Sequence, residues 1–402
     1  MQTPFVTLFL YFKPDYEYAE EAAIICEEIL RQRYQGIKNK DGVYTTPVFP
    51  KLIYALDEHN IHEDSPYYYL TKLAVATTAR RQYPDYVSAK ILRENYGDCF
   101  GPMGCRSFLS PWKDPKSGKL KWEGRFNAGV VTLNLPQIAL IAKGDMDVFN
   151  KLLEARLELC KQALLWRHDK LLGVTSDVSP LHWQFGGIAR LKPGEKIDPY
   201  LYDGYSTLSL GYIGVYETTI LMTGESNSTE KGHRFALRLV QTLRDHCDAW
   251  KEEYNIGFSL YSTPAEKTCY TLCERDKKIF GDVKDVTDKG YYTNSYHCDV
   301  RENMSWKQKW ELEAPFQKIA SGGCISYVEI PNMQQNEDAL LQMIQYLYEH
   351  LQYGEFNTKT DYCGQCGFQG EIKLNKDLQW ECPICGNTNR DSMEVVRRTC
   401  GK

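Results

Sequence analysis

Residues 5–12 read FVTLFLYF, a run of apolar, aromatic and β-branched side chains. Such a run predicts a strand that is buried on both faces, as in a parallel sheet covered by helices. A strand of this kind needs a neighbour on each side, and only four residues precede it. We therefore expect the chain to begin inside a sheet.

Short apolar strands and long amphipathic helices alternate along the rest of the chain. Helical spacing of apolar residues marks residues 16–34, 146–166, 231–250 and 337–353, and Ser65-Pro66 predicts a helix that runs towards Arg81. Further strands are predicted at residues 48–54, 256–261 and 324–330. This alternation indicates an α/β architecture, either an open sheet or a barrel.

Composition narrows the class of protein. The 402 residues carry a net charge of -5, which does not favour a nucleic-acid-binding role. No apolar run is long enough to cross a bilayer and no signal segment is recognisable, so we expect no membrane contact and a cytoplasmic location. Ten of the fourteen cysteines are scattered, and scattered thiols are mostly small buried hydrophobes.

Four cysteines form two CxxC pairs, Cys363/Cys366 and Cys382/Cys385, with fifteen residues between the pairs. Each pair lets two thiolates converge on one ion, and a glycine after each pair permits the tight turn. Four thiolates favour a closed, tetrahedral structural Zn²⁺ site. The alternative, four unconnected buried thiols, fits this spacing poorly. We place a domain boundary before this region, giving residues 1–356 and 357–402.

A second cysteine motif lies in a long polar segment rich in Gly and Pro, residues 98–129, which we call the finger loop. Cys105 follows Gly104, which would let the backbone turn and present a thiol at the loop tip. Arg106 beside it would favour thiolate. A buried structural cysteine is the alternative, although a loop of this length favours a function.

Several segments together resemble the C-terminal portion of the anaerobic (class III) ribonucleoside-triphosphate reductases, which are glycyl radical enzymes. The resemblance rests on the paired CxxC motifs and on six segments in the family's order: MGCRSFLS (103–110), NAGVVTLNLPQIAL (127–140), ARLKPGE (189–195), STPAEKTCY (262–270), KGYYTNSYH (289–297) and RRTCG (397–401). It implies the C-terminal part of a ten-stranded α/β barrel with the finger loop inserted, followed by a zinc ribbon.

The resemblance also implies the chemistry. Gly401 would store the radical, and only glycine suits that position because a Cβ would crowd a planar α-carbon radical. Cys105 would become the thiyl that takes the 3′-hydrogen of a ribonucleoside triphosphate. Formate would be the reductant, as in the branch with a methionine at the position of Met103, and Asn127 would orient the substrate or the formate. The ribbon would hold the segment that carries Gly401.

Partners follow from the same resemblance. An iron–sulfur enzyme that cleaves S-adenosylmethionine would install the radical, and the assembled enzyme would be a homodimer. Family members extend further upstream, with the first half of the barrel, a nucleotide-effector region and a second active-site cysteine. They also continue past the position of Lys402. We therefore expect one piece of a split or truncated reductase that needs a companion chain.

Two other functions are open. An inactive zinc-ribbon scaffold that binds a partner would keep the four cysteines without radical chemistry. Another glycyl radical enzyme, such as an acyl lyase, would carry adjacent paired cysteines at the loop tip, which Met103-Gly104-Cys105 does not.

The single histidines His182, His233 and His297 lack ligand spacing and are interpreted as surface or packing residues. Glu266 is interpreted as a pocket residue, a helix cap or a solvated loop charge.

Overall fold

The computed structural model describes residues 6–47, 49–104, 106–114 and 116–396. These residues pack as two units. The first unit contains the described residues up to Gly104 and those from Ile325 onward, and the second contains the described residues between them. The predicted division after residue 356 falls at Asn357, inside a strand, and it stays a prediction.

Up to Gly104 the predicted strands and helices are present, with further short elements that the sequence did not predict. They are β1 (Thr7–Leu10), α1 (Ala19–Gln35), β2 (Ile37–Lys38), β3 (Tyr44–Thr45), β4 (Lys51–Leu56), α2 (Glu58–Ile61), α3 (Tyr68–Arg81), β5 (Asp85–Ser88) and α4 (Ala89–Tyr96).

The second unit contains β6 (Trp112–Lys113), β7 (Leu120–Lys121), β8 (Phe126–Asn134), α5 (Leu135–Ala142), α6 (Met146–Asp169), α7 (Pro180–Trp183), β9 (Ser206–Ile213), α8 (Val215–Thr223), α9 (Glu230–Tyr254), β10 (Gly257–Tyr261), α10 (Lys267–Phe280) and α11 (Trp306–Ile319). From Ile325 onward the first unit resumes with β11 (Ser326–Ile330), α12 (Glu337–His350), β12 (Tyr353–Thr358), β13 (Asp361–Cys363), β14 (Gln369–Gly370), β15 (Lys373–Leu374), β16 (Trp380–Glu381) and β17 (Met393–Glu394).

The first unit is built on a five-stranded sheet in the order β1-β4-β5-β12-β11. Strands β1, β4 and β5 are parallel, β12 and β11 are parallel, and β5 meets β12 antiparallel. Within the described residues β1 pairs only with β4, so the neighbour predicted on its other side is not found there. Its residues Thr7 to Phe9 are half-buried rather than buried, and Val6 is 50% exposed.

Several predicted boundaries are wrong, three of them for a reason that the local contacts show. The strand expected at 48–54 begins at Lys51, because Pro50 has no N–H for the ladder. Ser65 does not cap α3, which begins at Tyr68; its hydroxyl bonds instead to the carbonyl of Glu58 at 2.6 Å. The helix expected to reach residue 353 ends at His350, because Tyr353 already pairs with β5 as the first residue of β12.

The second unit is built on a parallel sheet in the order β10-β9-β8. One face carries Leu208, Leu210 and Leu260, which are fully buried in a core with side chains of α6 and α9. Each such leucine contributes on the order of 2 kcal/mol. The residues that alternate with them on β9 and β10 are small or polar, namely Thr207, Ser209, Gly211 and Ser259. A parallel sheet between two helical layers is normally apolar on both faces, so this polar face indicates another use.

Candidate functional site

The four cysteines of the ribbon converge on one point. In the region that the structure describes, Cys363, Cys366, Cys382 and Cys385 are the group able to hold a metal ion, and their sulfur atoms all lie within 4.8 Å of one another. Two of the Sγ–Sγ distances are 3.7 Å (Cys363–Cys385) and 3.6 Å (Cys366–Cys382). A tetrahedral zinc with four thiolates places its sulfurs about 3.8 Å apart. The donor set therefore fits Zn²⁺.

Backbone turns at the two knuckles create this arrangement. Gly367 and Gly386 have φ of 77° and 67°, a left-handed conformation that glycine adopts without strain. Their N–H groups bond to the carbonyls of Cys363 and Cys382 at 2.8 and 3.0 Å. Strands β14, β13 and β17 form one small sheet of the ribbon, and β15 and β16 form a hairpin. The spacing of the motif thus predicted the cluster correctly.

A neighbouring amide supports the cluster. Asn387 donates from Nδ2 to Cys363 Sγ at 3.5 Å and to Ser392 Oγ at 2.8 Å. Burial opposes ionisation of Cys363, yet hydrogen bonds from Asn387 and from the N–H groups of Gln365 and Cys366 outweigh it and lower the pKa of this thiol to about 6. The thiolate is the form that binds zinc, so these hydrogen bonds favour Cys363 as a ligand. Sequence reasoning missed Asn387, which follows the second knuckle directly.

The carboxylate of Asp361 holds the backbone of the last described residue of the ribbon. Asp361 on β13 accepts hydrogen bonds from Ile372 N at 2.7 Å and from Val396 N at 3.0 Å. Val396 is the last described residue, so the predicted radical residue, Gly401, lies outside the described residues. Its role stays a prediction.

The predicted thiyl residue, Cys105, also lies outside the described residues. The chain beyond it is anchored firmly: Ser107 forms a bridge with Gly323, and Phe108 N donates to Gly322 O at 3.0 Å. A Cβ on Gly323 would lie 2.1 Å from the carbonyl oxygen of Arg106, so glycine is required there. The finger loop ends earlier than predicted, because β8 begins at Phe126 and residues 127–129 belong to it.

Arg106 and Met103 differ in environment. The side chain of Arg106 is 5% exposed, and neither its Nε nor its Nη1 has a hydrogen-bond partner among the described residues. Met103 is 39% exposed. The predicted contact of Met103 with substrate or reductant stays a prediction.

Asn127 lies at the start of β8, beside the polar face of the second sheet. It donates from Nδ2 to Ser209 Oγ at 2.7 Å, and its Oδ1 accepts from Gly129 N at 2.9 Å. Ser209 Oγ lies 3.0 Å from Ser259 Oγ, which extends the chain of hydrogen bonds across all three strands. A primary amide can make up to four hydrogen bonds, so two of Asn127's remain for a ligand. Its predicted ligand role stays a prediction.

Two buried ionic groups in the second unit were missed. Lys289 contacts the carboxylates of Glu217 and Asp299, and all three side chains are 2% exposed or less. His297 Nδ1 lies 3.0 Å from Glu313 Oε1, which Lys309 Nζ also approaches to 2.5 Å. Lys289 and His297 are the first and last residues of the KGYYTNSYH segment. This segment carries part of the family resemblance and could therefore have pointed to both groups.

The remaining sequence interpretations concern single residues. His182 bonds to Ser179 at the surface, His233 bonds to the carbonyl of Leu312, and His297 is buried beside Glu313, so none joins a metal cluster among the described residues. Glu266 is exposed at the start of α10 and its side chain makes no capping hydrogen bond, so the helix-cap interpretation is wrong. Seven scattered cysteines are buried, as expected: Cys26, Cys160, Cys247, Cys269, Cys273, Cys298 and Cys324. None of the helices in the described part is long and apolar enough to cross a membrane.

Comparison with known proteins places these features in a family. The family model for anaerobic ribonucleoside-triphosphate reductase matches residues 1–401. The curated anaerobic ribonucleoside-triphosphate reductase of Enterobacteria phage T4 is 40% identical over 408 residues, which cover 100% of this chain and 64% of the relative. That of Escherichia coli K12 is 40% identical over 405 residues, covering 100% and 56%. The chain thus spans less than two thirds of these relatives.

A solved structure agrees in fold. A crystal structure of the anaerobic ribonucleotide reductase from Thermotoga maritima matches with a TM-score of 0.66 and 19% identity, over 96% of this chain and 61% of the other. At this identity the likeness concerns the α/β fold alone. Together with the family match along the chain, these findings confirm the resemblance: the chain belongs to the anaerobic ribonucleoside-triphosphate reductase family.

Proposed function

We propose that this chain is the catalytic C-terminal portion of an anaerobic reductase that converts ribonucleoside triphosphates to 2′-deoxyribonucleoside triphosphates by glycyl and thiyl radical chemistry. The observation that carries the proposal is the family match over residues 1–401, which includes both MGCR around Cys105 and RTCG around Gly401. The buried polar face of the second sheet supports it, because a loop or ligand in a barrel interior needs polar partners there.

The proposed reaction begins at Gly401. An activating enzyme that cleaves S-adenosylmethionine removes a hydrogen atom from the α-carbon. The thiol hydrogen of Cys105 then moves to Gly401, leaving a thiyl radical. The thiyl takes the 3′-hydrogen of the ribose, and the 2′-hydroxyl takes up a proton and leaves as water. Formate supplies two electrons and the hydrogen that C2′ gains, and is oxidised to CO₂. The 3′-hydrogen then returns from Cys105. A closed interior protects these radicals from water and oxygen.

The ribbon has a structural role in this proposal. A zinc ion held by Cys363, Cys366, Cys382 and Cys385 would fix β13 against β17, because these strands carry the first knuckle and the approach to Gly401. The four-thiolate site leaves no open position for substrate, which is typical of structural zinc.

We propose that the assembled enzyme contains an upstream portion besides this chain, which spans 64% and 56% of two curated relatives. The sheet edge at β1 carries half-buried apolar residues without a second neighbour among the described residues. An edge of this kind pairs readily with another strand. We therefore propose a ten-stranded barrel completed by an upstream companion portion, assembled as a cytoplasmic homodimer.

Product analysis tests the proposed function. The chain, joined to its companion portion, is activated anaerobically and given each ribonucleoside triphosphate with [¹⁴C]formate. We expect deoxyribonucleoside triphosphate and ¹⁴CO₂ in equal amounts, and neither product from Cys105→Ser. Intact zinc sites without any product would instead favour the inactive scaffold.

A further inference from the structure

Arg81 is the last residue of α3, and its guanidinium joins three separate segments of the first unit. Its Nε donates to the carbonyl of Tyr34 at 3.1 Å and its Nη2 to that of Gln35 at 2.6 Å, both at the end of α1. Its Nη1 lies 3.3 Å from the carbonyl of Tyr44 on β3. The side chain is 3% exposed. All three guanidinium nitrogens are therefore used inside the protein.

The charge of Arg81 is matched by the ribbon. Its Nη1 lies 2.8 Å from Oε2 of Glu394 on β17, and Glu394 is 5% exposed. The second carboxylate oxygen, Oε1, accepts a hydrogen bond from the N–H of Thr46, just after β3. Room for the guanidinium exists because residue 36 is glycine; a Cβ there would lie 2.9 Å from Arg81 Nη2.

This ion pair lies close in sequence to the predicted radical residue. Glu394 is two residues before Val396, whose N–H is held by Asp361. The strand leading towards Gly401 is thus fixed at two successive points, by Arg81 at Glu394 and by Asp361 at Val396. Asp361 lies on β13 of the ribbon, whereas Arg81 lies at the end of α3. The segment is thus held from two different elements of the first unit.

We propose that Arg81 and Glu394 form a positioning pair that sets where the radical-carrying segment leaves the ribbon. The proposal rests on the function proposed for Gly401 and Cys105. Hydrogen-atom transfer between the two residues needs close and exact placement, and a displacement of about 1 Å can lower a rate about 100-fold. A buried pair resists such displacement, because opening it leaves an uncompensated charge inside the protein.

The first test needs no radical. In the zinc-loaded protein joined to its companion portion, hydrogen exchange is compared for the unaltered chain and Glu394→Gln. We expect exchange at the amides of Thr46 and Val396 to rise about 10-fold or more in the variant, because local opening becomes easier. The matched control is Glu371→Gln, which removes a carboxylate of the same ribbon that lies 3.5 Å from Lys359 and is 39% exposed. Surface pairs contribute little, so the control should match the unaltered protein.

The second test separates positioning from stability. After activation, the radical is counted by EPR and turnover is expressed per radical. We expect Glu394→Gln to lose at least about 10-fold in turnover per radical with zinc content unchanged. Arg81→Lys keeps the charge but loses the planar fork of donors. Its turnover per radical should therefore lie between that of the unaltered chain and that of Glu394→Gln.

Three outcomes would overturn the proposal: unchanged exchange in Glu394→Gln, unchanged turnover per radical, or a loss of zinc that parallels the loss of turnover. An unaltered protein that forms no radical would overturn the proposed function instead. In that case the exchange comparison would still decide whether the pair holds residues 394–396.

Discussion

At the scale of single residues, His297 illustrates how burial decides the state of an ionisable group. Burial lowers its pKa to about 4, although Glu313 at 3.0 Å favours the charged form. Lys309 offsets that attraction, because it already compensates the charge of Glu313. The imidazole is therefore neutral at pH 7 in the folded protein.

This state predicts a pH dependence of stability. Between pH 6.5 and about 4 the unfolded chain binds a proton at His297 and the folded chain does not, so the free energy of unfolding falls as the pH falls through this window. Each pKa unit corresponds to about 1.4 kcal/mol. In urea unfolding between pH 7 and pH 4, the free energy of unfolding should fall less for His297→Gln than for the unaltered chain. An equal fall in both proteins would contradict a neutral His297 in the folded state.

Asn127 gives a second prediction at this scale. Its two described hydrogen bonds join the start of β8 to Ser209 on the polar face of the sheet and to the N–H of Gly129. Asn127→Asp keeps the acceptor for Gly129 N but loses the donor to Ser209 and adds a charge. We expect turnover per radical to fall about 100-fold or more while the radical yield is retained. Steady-state kinetics combined with EPR counting would check this, and equal loss of both quantities would indicate simple misfolding.

At the scale of structural elements, the ribbon depends on its metal more than on its core. Its buried apolar core consists of Ile372 and Met393 with two of the ligands, Cys363 and Cys382. A core this small cannot offset the entropy of ordering the chain, so zinc binding and folding of the ribbon are coupled. Chelation should therefore unfold the ribbon.

Replacement of one ligand tests this dependence. Cys382→Ser should lose the bound zinc and the exchange protection of the Gly386 amide, which bonds to Cys382 O. Cys160→Ser, at a buried thiol on α6 that is not a ligand, should keep both. Zinc is measured by mass spectrometry after desalting. Full zinc retention in Cys382→Ser would contradict the assignment.

Sequence periodicity predicted most long elements of the fold and failed where distant contacts decide. The starts of α6 and α9 follow from apolar spacing to within one residue, although the helices end three and four residues later than predicted. The knuckles follow from spacing alone. The end of α12 does not follow from spacing. Apolar residues continue the helical pattern up to Tyr353, but the pairing of Tyr353 with β5 makes it the first residue of a strand. The Arg81–Glu394 pair joins residues 313 positions apart, which no local pattern reveals.

At the scale of the whole molecule, the chain matches its relatives along its full length but spans only part of theirs. It covers 64% of the phage T4 reductase and 56% of the Escherichia coli enzyme. The half-buried edge at β1 is where we expect the companion portion to pair. Co-expression with the upstream portion should yield a stable complex on size exclusion, and Phe9→Lys on β1 should weaken it. A complex unaffected by Phe9→Lys would place the contact elsewhere.

EPR of the assembled, anaerobically activated protein tests directly whether Gly401 carries the radical. We predict a doublet from coupling of the unpaired electron to the single α-hydrogen of Gly401. The doublet should collapse to a singlet when the protein is labelled with α-deuterated glycine, and it should be absent from Gly401→Ala. No signal in the unaltered protein, or a signal that survives Gly401→Ala, would contradict the account.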